Sequence, residues 1–231
     1  MPRFKLLLAI LFALVHMSCA SFPQNQLPRI DHMPVISEYK HRPSAYITVS
    51  FRINDKGPAV AAVAQGRRIV QTIADKVTRE ADIFEEFTFD RSEMAGKEYI
   101  ISIDLLNHGN ESTASLKGML FGLSLGTIPI WVTDNYTLNA KVFNATGKLL
   151  AEYRFDDSLR TYFHLFLLFS TKKRPANTSE LVLSNMIRNF YKKLYDEKII
   201  QFGDEKNYTC LDCGRTERRN DTRYKGLPSA Y

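Results

Sequence analysis

Apolar and polar residues alternate along several stretches of this chain, and a period of two residues predicts β-strands. The first stretch runs from Ala45 to Phe51 and the second from Tyr99 to Leu105. The third is a hairpin, in which Tyr136 to Val142 and Leu149 to Phe155 alternate on either side of the turn residues Asn144 to Gly147. These patterns predict four strands, each with one buried side.

Two other stretches carry apolar residues at helical spacing. One follows Gly57-Pro58, where a proline in the first turn loses no hydrogen bond. The other begins near Asn177 to Ser179, where Asn177 and Glu180 resemble a capping box. The predicted buried stripes are Val60, Val63, Val70, Ile73 and Val77 in the first helix, and Leu183, Met186, Ile187, Phe190 and Leu194 in the second.

A further short strand is expected from Ile83 to Phe89, directly after the first helix. The elements then follow in the order strand, helix, two strands, an apolar insertion, two strands and a helix. This order predicts an α+β fold, a two-layer sandwich with a mostly antiparallel sheet of about five strands and two helices on one face. The domain is predicted to span residues 44–202, followed by a C-terminal tail over 203–231.

Two apolar insertions, at 116–132 and 162–169, interrupt this pattern. Fifteen residues from Gly118 to Val132 carry no charge, and Gly118, Gly122 and Gly126 recur every four residues. On a helix those glycines would form a smooth face for a partner helix, and as a strand the segment is long enough to cross a bilayer. The alternative is a buried connector over the sheet. Gly118, Gly122, Gly126 and Trp131 are therefore the candidate membrane or oligomer contacts.

The first eighteen residues have the layout of an export signal. Arg3 and Lys5 precede an apolar run from Leu6 to Val15, and small residues follow. The run is too short to span a bilayer as a helix, which needs about 20 apolar residues. Residues 1–18 are therefore predicted to be a signal peptide.

The sequence Val15-His-Met-Ser-Cys19 resembles the bacterial lipoprotein signal, although His16 stands where that pattern usually has leucine. The resemblance implies that Cys19 is thioether-linked to diacylglycerol, becomes the new N-terminus and carries fatty acids such as palmitate. Ala20 after the cysteine implies sorting to the outer membrane, on its periplasmic face. Residues 19–43 contain four prolines and are predicted to form an extended tether.

An ordinary secretory signal cut after Ala20 is the alternative, because Ser18-Cys19-Ala20 also fits a small-x-small site. Six Asn-x-Ser/Thr sites keep this alternative open, since a eukaryotic secreted protein would carry glycans there. They begin at Asn110, Asn135, Asn144, Asn177, Asn207 and Asn220. In a bacterial protein they would be turn and cap residues, and Asn144 and Asn177 already have such predicted roles.

The element order, with this leader, is similar to that of the curli secretion channel lipoprotein and the N-terminal domain of TolB. Three motifs also resemble an uncharacterised family of bacterial outer-membrane lipoproteins: Gly122-Leu-Ser-Leu-Gly-Thr-Ile-Pro129, Val132-Thr-Asp-Asn-Tyr-Thr-Leu138 and His164-Leu-Phe-Leu-Leu-Phe169. The resemblance implies an envelope lipoprotein fold. It implies no activity and no catalytic residue.

The cysteine spacing and the net charge indicate which ligands and partners to expect. Cys210 and Cys213 form a single C-x-x-C without further ligands, so a local disulfide is expected in an oxidising envelope, and no metal site is predicted. The formal charge is +6, and removing Arg3 and Lys5 leaves 29 basic residues against 25 acidic ones. That excess is too small to indicate a nucleic-acid partner.

Residues for catalysis are scattered. Asp104 and Asp134 are the candidate acids. The four histidines beyond the leader, His32, His41, His108 and His164, show no metal-ligand spacing. Glycine-rich phosphate loops and nucleophile elbows are missing from the sequence, and no cofactor is expected.

The sequence therefore predicts a lipid-anchored envelope protein that is not an enzyme. It would act as a binding or assembly component, held to the membrane by its N-terminal lipid, with an envelope protein or a second copy as partner. One alternative is an envelope hydrolase, in which a pocket brings Asp104 or Asp134 to a histidine beside a lipid-like substrate. Another is a pore-forming oligomer that inserts residues 118–132.

Overall fold

The computed structural model describes residues 18–34, 36, 39, 41–53, 60–109, 119, 123–124, 129–164 and 175–203. Its strands are β1 (Ser18–Pro23), β2 (Ser44–Ile53), β3 (Glu86–Thr88), β4 (Tyr99–Asn107), β5 (Ile130–Asn144) and β6 (Leu149–His164). Its helices are α1 (Val60–Ala81) and α2 (Pro175–Asp196), with a single 3₁₀ turn at Arg91–Glu93.

All six strands belong to one sheet, in the order β1-β6-β5-β4-β2-β3. β1, β6, β5 and β4 pair antiparallel in succession, whereas β2 is parallel to both β4 and β3. The α+β class is confirmed, but the expected five-stranded, mostly antiparallel sheet is wrong. Helix α1 returns the chain to the start of β2, so the next strands run parallel to it, and alternation alone does not reveal strand direction.

The core lies between the sheet and the two helices, and we call the side of the sheet that faces the helices the inner face. The inner face consists of rows of side chains from neighbouring strands. In one row, Ile47 pairs with Ile101, and Ile101 pairs with Val142. All three side chains are buried. The predicted stripe of α2 is fully buried, and Val70, Ile73 and Val77 of the α1 stripe are buried as well. The hydrophobic pattern therefore identified both helices and the inner faces of β2, β4 and β5.

Element ends differ from the predictions in several places. The hairpin strands β5 and β6 extend to Ile130 and His164, well beyond the predicted outer ends at Tyr136 and Phe155. A β-bulge at Val142 and Phe143 pairs Leu149 with Phe143, so Leu149 lies on the outer face, opposite to the predicted one, and is exposed. The strand expected from Ile83 to Phe89 is reduced to Glu86–Thr88. Helix α2 begins at Pro175 and not at Asn177, since proline is well tolerated in a first turn.

The segment predicted as a free tether packs on the domain. Its first residues form the edge strand β1, in which Ala20 and Ser21 are buried, and Ile36 further along is buried in the core. Prolines interrupt regular secondary structure, but they do not prevent a segment from packing on a domain. The apolar side chains of Leu27, Met33 and Ile36 reach the core. Residues 19–43 thus differ from the predicted tether. Of the predicted tail, residue 203 is described, and residues 204–231 lie outside the described residues.

Residues 24–34, which we call the strap, cross helix α2. Asn185 accepts a hydrogen bond from the Ile30 amide (3.0 Å) and donates one to the Pro28 carbonyl (3.1 Å). Asn189 donates to the same carbonyl at 2.9 Å. Because the strap has no strand partner here, these side-chain amides satisfy its backbone polar groups.

Candidate functional site

Cys19 is the second residue of β1 and lies opposite Phe163 of β6. Its thiol is half-buried and is not part of a disulfide among the described residues. β1 starts at the end of the sheet where β6 finishes and β5 begins. Cys19 is therefore placed at one end of the folded domain, with no intervening linker.

Hydrogen bonds fasten β1 to its surroundings beyond the strand ladder. The Ser21 and Thr161 hydroxyls lie 2.6 Å apart on the inner face, and Thr178 of α2 donates to the Ser21 carbonyl at 3.1 Å. The Gln24 amide donates to the Ser158 carbonyl at 2.9 Å. The strand β1 shows no alternation of apolar and polar residues, because its inward side chain at Ser21 is polar. This side chain is bonded to Thr161 inside the protein and does not face solvent.

An aromatic group lies on the outer face at this same end of the sheet. Trp131 of β5 pairs with Tyr162 of β6, and Tyr162 pairs with Ala20 of β1. The ring of Phe22 meets that of Tyr162 edge to face, with centroids 5.8 Å apart. We call Phe22, Trp131 and Tyr162 the aromatic end. Trp131 was predicted as a contact residue, and Tyr162 begins the second predicted apolar insertion, whereas Phe22 was not predicted. Extending the hairpin register from Val142 to Trp131 would have shown that Trp131 pairs with Tyr162.

Polar side chains cover the middle of the outer face. Asp104 of β4 is paired with the Arg52 guanidinium and accepts a hydrogen bond from the Ser50 hydroxyl at 2.5 Å. Lys141 and Glu152 form a further cross-strand ion pair at 3.0 Å. Lys141 and Glu152 lie directly opposite each other, and Arg52 and Asp104 lie diagonally across the strands. Such exposed pairs stabilise strand pairing modestly.

A second polar group on this face joins His108, Thr137 and Asp156. His108 Nε2 lies 2.9 Å from the Thr137 hydroxyl, and that hydroxyl donates to Asp156. Partial burial would by itself raise the pKa of the Asp156 carboxyl, but hydrogen bonds from Thr137 and Arg154 outweigh it and hold the pKa below its usual value. The hydroxyl hydrogen points at the carboxylate and not at the histidine. The group therefore lacks the order of nucleophile, base and orienting acid that covalent catalysis requires.

The two candidate acids lie on opposite faces of the sheet. Asp104 faces outward, held by Arg52 and Ser50. Asp134 faces inward beside Tyr136, and burial raises the pKa of its carboxyl. Burial, with the Asp134 charge nearby, also raises the pKa of Tyr136. Among the described contacts, neither acid meets a histidine, which the hydrolase alternative requires.

Two cavities lie where the strap crosses the helices. The larger, about 350 Å³, is lined by strap residues and by the end of α1, including Asp31, His32 and Glu80. The smaller, about 130 Å³, lies between Asn25, Asp157 and Asn185. Arg188 of α2 borders both and forms an ion pair with Glu80 at 2.6 Å. Asp104 and Asp134 line neither cavity.

Several predicted site residues lie outside the described part of the chain. They are Gly118, Gly122, Gly126, Cys210 and Cys213. In the same connection as the glycines, the side chains of Met119 and Leu123 are described and are exposed. The predicted glycine contact face and the predicted disulfide stay predictions.

No protein-family model and no curated protein matches the sequence. Solved structures with a similar fold include a neuraminyllactose-binding hemagglutinin homolog from Helicobacter pylori, with 12% identity, a TM-score of 0.36, and coverage of 75% of this chain and 90% of that one. A minor lipoprotein from Acinetobacter baumannii has 7% identity, a TM-score of 0.34, and coverage of 69% and 96%. A PelC dodecamer from Paraburkholderia phytofirmans has 7% identity, a TM-score of 0.31, and coverage of 74% and 96%.

Helices able to cross a membrane are not found among the described residues.

Proposed function

We propose that this chain is a lipid-anchored cell-envelope protein, acylated at Cys19, that works as a binding or assembly component. The leader, with its two basic residues, short apolar run and Cys19, supports export and lipidation. The observation that carries the proposal is the place of Cys19 in the fold. Cys19 lies next to the start of the edge strand β1, at one end of the sheet and with a half-buried thiol, so acyl chains attached to it would leave the domain at that end.

The finer placement is the periplasmic face of the outer membrane. It rests on Ala20, which follows the cysteine where an acidic residue would imply retention in the inner membrane. Ala20 is also buried in β1, so replacing it by aspartate would disturb the edge strand as well as the sorting signal. Separation of inner and outer membranes by density, using the unmodified chain, is therefore the clean test. Recovery with the inner membrane would contradict this placement.

Metabolic labelling with an alkyne fatty-acid analogue tests the anchor. The unmodified chain is expected to incorporate the label. Cys19→Ser is expected to lose it, because the diacylglyceryl group is attached through the Cys19 sulfur. The chain has three cysteines, so Cys210→Ala and Cys213→Ala serve as matched controls that keep the label. Equal labelling of the chain and of Cys19→Ser would remove the proposal.

Mass spectrometry of the processed chain gives a test that needs no variant. The expected N-terminal peptide begins at Cys19 and carries a diacylglyceryl thioether. A peptide that begins at Ser21 without lipid would instead support the secretory alternative, with cleavage after Ala20.

The binding or assembly role is tested by cross-linking in intact envelopes. A component of an assembly is expected to appear in discrete species of higher mass, and sequencing of those bands identifies an envelope partner or a second copy. A chain that stays at its own mass over a range of cross-linker lengths would contradict the role.

A further inference from the structure

The aromatic end is a group of rings at one end of the outer face. Tyr162 lies between Trp131 on β5 and Ala20 on β1, and Phe22 packs edge to face on Tyr162. Trp131 keeps 47% of its surface exposed. Tryptophan and tyrosine, with an apolar body and a polar tip, are enriched where proteins meet the headgroup layer of a membrane.

The charge of the outer face changes along the strands. β4 ends at Asn107, opposite Tyr136, and beyond that point the sheet continues as β5, β6 and β1. The outer-face positions of this extension whose side chains are described are Phe22, Trp131, Thr133, Asn135, Arg160 and Tyr162, together with Ala20 and Ser158, which are buried. They include one arginine and no carboxylate, whereas the middle of the same face carries the ion pairs of Asp104 with Arg52, Glu152 with Lys141 and Asp156 with Arg154. A surface with rings and a single cation suits a layer of anionic and zwitterionic headgroups.

The aromatic end is also the end that carries Cys19. Trp131 lies two strand pairings from Ala20, the residue after Cys19, a width of about 10 Å at about 4.8 Å per pairing. The Cys19 side chain shares the inner face with Ser21, whereas the rings lie on the outer face, so the anchor and the rings share one end of the sheet but not one face. An acyl anchor at Cys19 therefore holds the rings within reach of the interfacial layer, which is roughly 5–8 Å deep on each side of a bilayer.

The chain outside the described residues joins the domain at this end as well. The connection that contains the uncharged run 118–132 leaves after β4 and returns at the start of β5. The sequence Leu165-Phe-Leu-Leu-Phe169 directly follows the end of β6. Both of the most apolar stretches of the mature chain thus adjoin the end where Cys19 lies.

We infer that the aromatic end forms a second contact with the bilayer, in which Phe22, Trp131 and Tyr162 lie in the headgroup layer of the membrane that holds the acyl chains of Cys19. The inference rests on the lipid anchor proposed above. An acyl anchor alone lets the domain rotate about the bond at Cys19, and a ring contact about 10 Å away fixes its orientation. The strands then stand away from the membrane, and the hairpin turn at Asn144–Gly147 points away from the surface.

The single tryptophan of the chain makes this contact directly measurable. The acylated full chain is reconstituted in phosphatidylethanolamine and phosphatidylglycerol vesicles, with ordinary lipids or with lipids brominated near the carbonyl end of the acyl chain. Flotation of the vesicles reports the anchor, and quenching of Trp131 emission reports the contact. A loss of about half the emission in brominated vesicles is expected for a ring at the interface.

A matched variant moves the tryptophan to the opposite end of the sheet, at the start of β6. Trp131→Phe combined with Leu149→Trp keeps one tryptophan and places it about 40 Å along the strand, at a position that is already exposed. Its emission is expected to be equal in the two kinds of vesicle. Equal quenching of both proteins would overturn the proposed orientation.

The outcomes separate this inference from the proposed function. A chain that floats with the vesicles while Trp131 is not quenched keeps its anchor and overturns the ring contact. Blue-shifted Trp131 emission without quenching would show that another protein surface, such as a second copy, covers the ring, which also overturns it. A chain that is neither acylated nor floating removes the proposed function itself.

Discussion

At the scale of single residues, one buried hydrogen bond joins the two helices. The Thr78 hydroxyl of α1 donates to the Ala74 carbonyl at 2.6 Å and lies 2.6 Å from the Tyr191 hydroxyl of α2. Both side chains are buried, and burial raises the pKa of the Tyr191 phenol, which therefore stays protonated. Because the threonine hydrogen is used on Ala74, Tyr191 is the donor between the two hydroxyls.

This arrangement predicts unequal costs for the two partners. Thr78→Val leaves the Tyr191 hydroxyl without an acceptor in the core and should lower the free energy of unfolding by about 1–3 kcal/mol. Tyr191→Phe should cost less, since Thr78 keeps its bond to Ala74. The double variant should be no less stable than Thr78→Val alone. Urea denaturation of the four proteins measures this, and additive losses would contradict the assigned donor.

The Thr137 hydroxyl is predicted to make stability depend on pH. It is one of the donors that lower the pKa of Asp156, and a carboxyl with a lowered folded pKa stabilises the fold above its unfolded pKa and loses that contribution as the pH falls through the folded value. Thr137→Val should therefore raise the pKa of Asp156 toward its usual value. Its destabilisation should be largest near neutral pH and should shrink in acid.

NMR titration of the carboxyl groups measures that change. Asp90 serves as an internal control, because its pKa is lowered by the Ser92 amide in a separate turn and should stay the same in the variant. An unchanged Asp156 pKa in Thr137→Val would contradict the role given to the hydroxyl.

At the scale of elements, a glycine inside α1 lets the helix approach the sheet. A Cβ atom added at Gly66 would lie 2.1 Å from the ring of Phe51 on β2, closer than any real contact. An alanine normally favours a helix over glycine by about 1 kcal/mol, but here the ring would have to move. The close contact between α1 and the sheet therefore explains why glycine, which has a low helix propensity, occupies position 66.

Gly66→Ala is accordingly expected to destabilise the protein by about 1–3 kcal/mol, as overpacked cores do. Gln65→Ala, next to it on the exposed side of α1, is the control and should change stability little. Thermal unfolding followed by circular dichroism gives the comparison. Adding Phe51→Ala to Gly66→Ala should remove the clash, so a double variant in which the two losses simply add would argue against it.

The strap depends on helix α2 through side-chain amides. Asn185→Ala removes the acceptor of the Ile30 amide and one donor to the Pro28 carbonyl, while Asn189 still holds that carbonyl. Hydrogen exchange at the Ile30 amide should therefore become roughly ten-fold faster or more, the change that follows from losing about 1.4 kcal/mol of local stability. The amide of Ile101 in the sheet is the control. Unchanged exchange at Ile30 would show that other contacts hold the strap.

At the scale of the whole molecule, the sequence predicted the layers better than the connections. The buried faces of β2, β4, β5 and α2 follow from simple periodicity, because each buries one apolar side. The parallel pairing of β2 with β4 was missed, since it depends on how α1 returns the chain. The edge strand β1 was missed because its inward side chain at Ser21 is polar and is satisfied by Thr161 and Thr178.

The candidate site was predictable only in part. Cys19 and Trp131 were identified from the leader and from an uncharged run, and neither pattern shows that both residues lie at one end of one sheet. That information is in the register of β6, which pairs with β1 and β5 over its last residues. Extending the hairpin register beyond its alternating part would have shown the pairing of β6 with β5 at Trp131. The pairing with β1 joins residues about 140 positions apart, and short-range patterns contain no trace of it.

The pairing of β1 also has a consequence for the time at which the proposed leader would be removed. The peptide bond between Ser18 and Cys19 lies within a paired strand, opposite His164 and Phe163. A peptidase needs its target in an unpaired, extended form, so on this register the leader has to be removed before the edge of the sheet closes. Under the proposed export and lipidation, β1 would pair with β6 only after the leader has been removed.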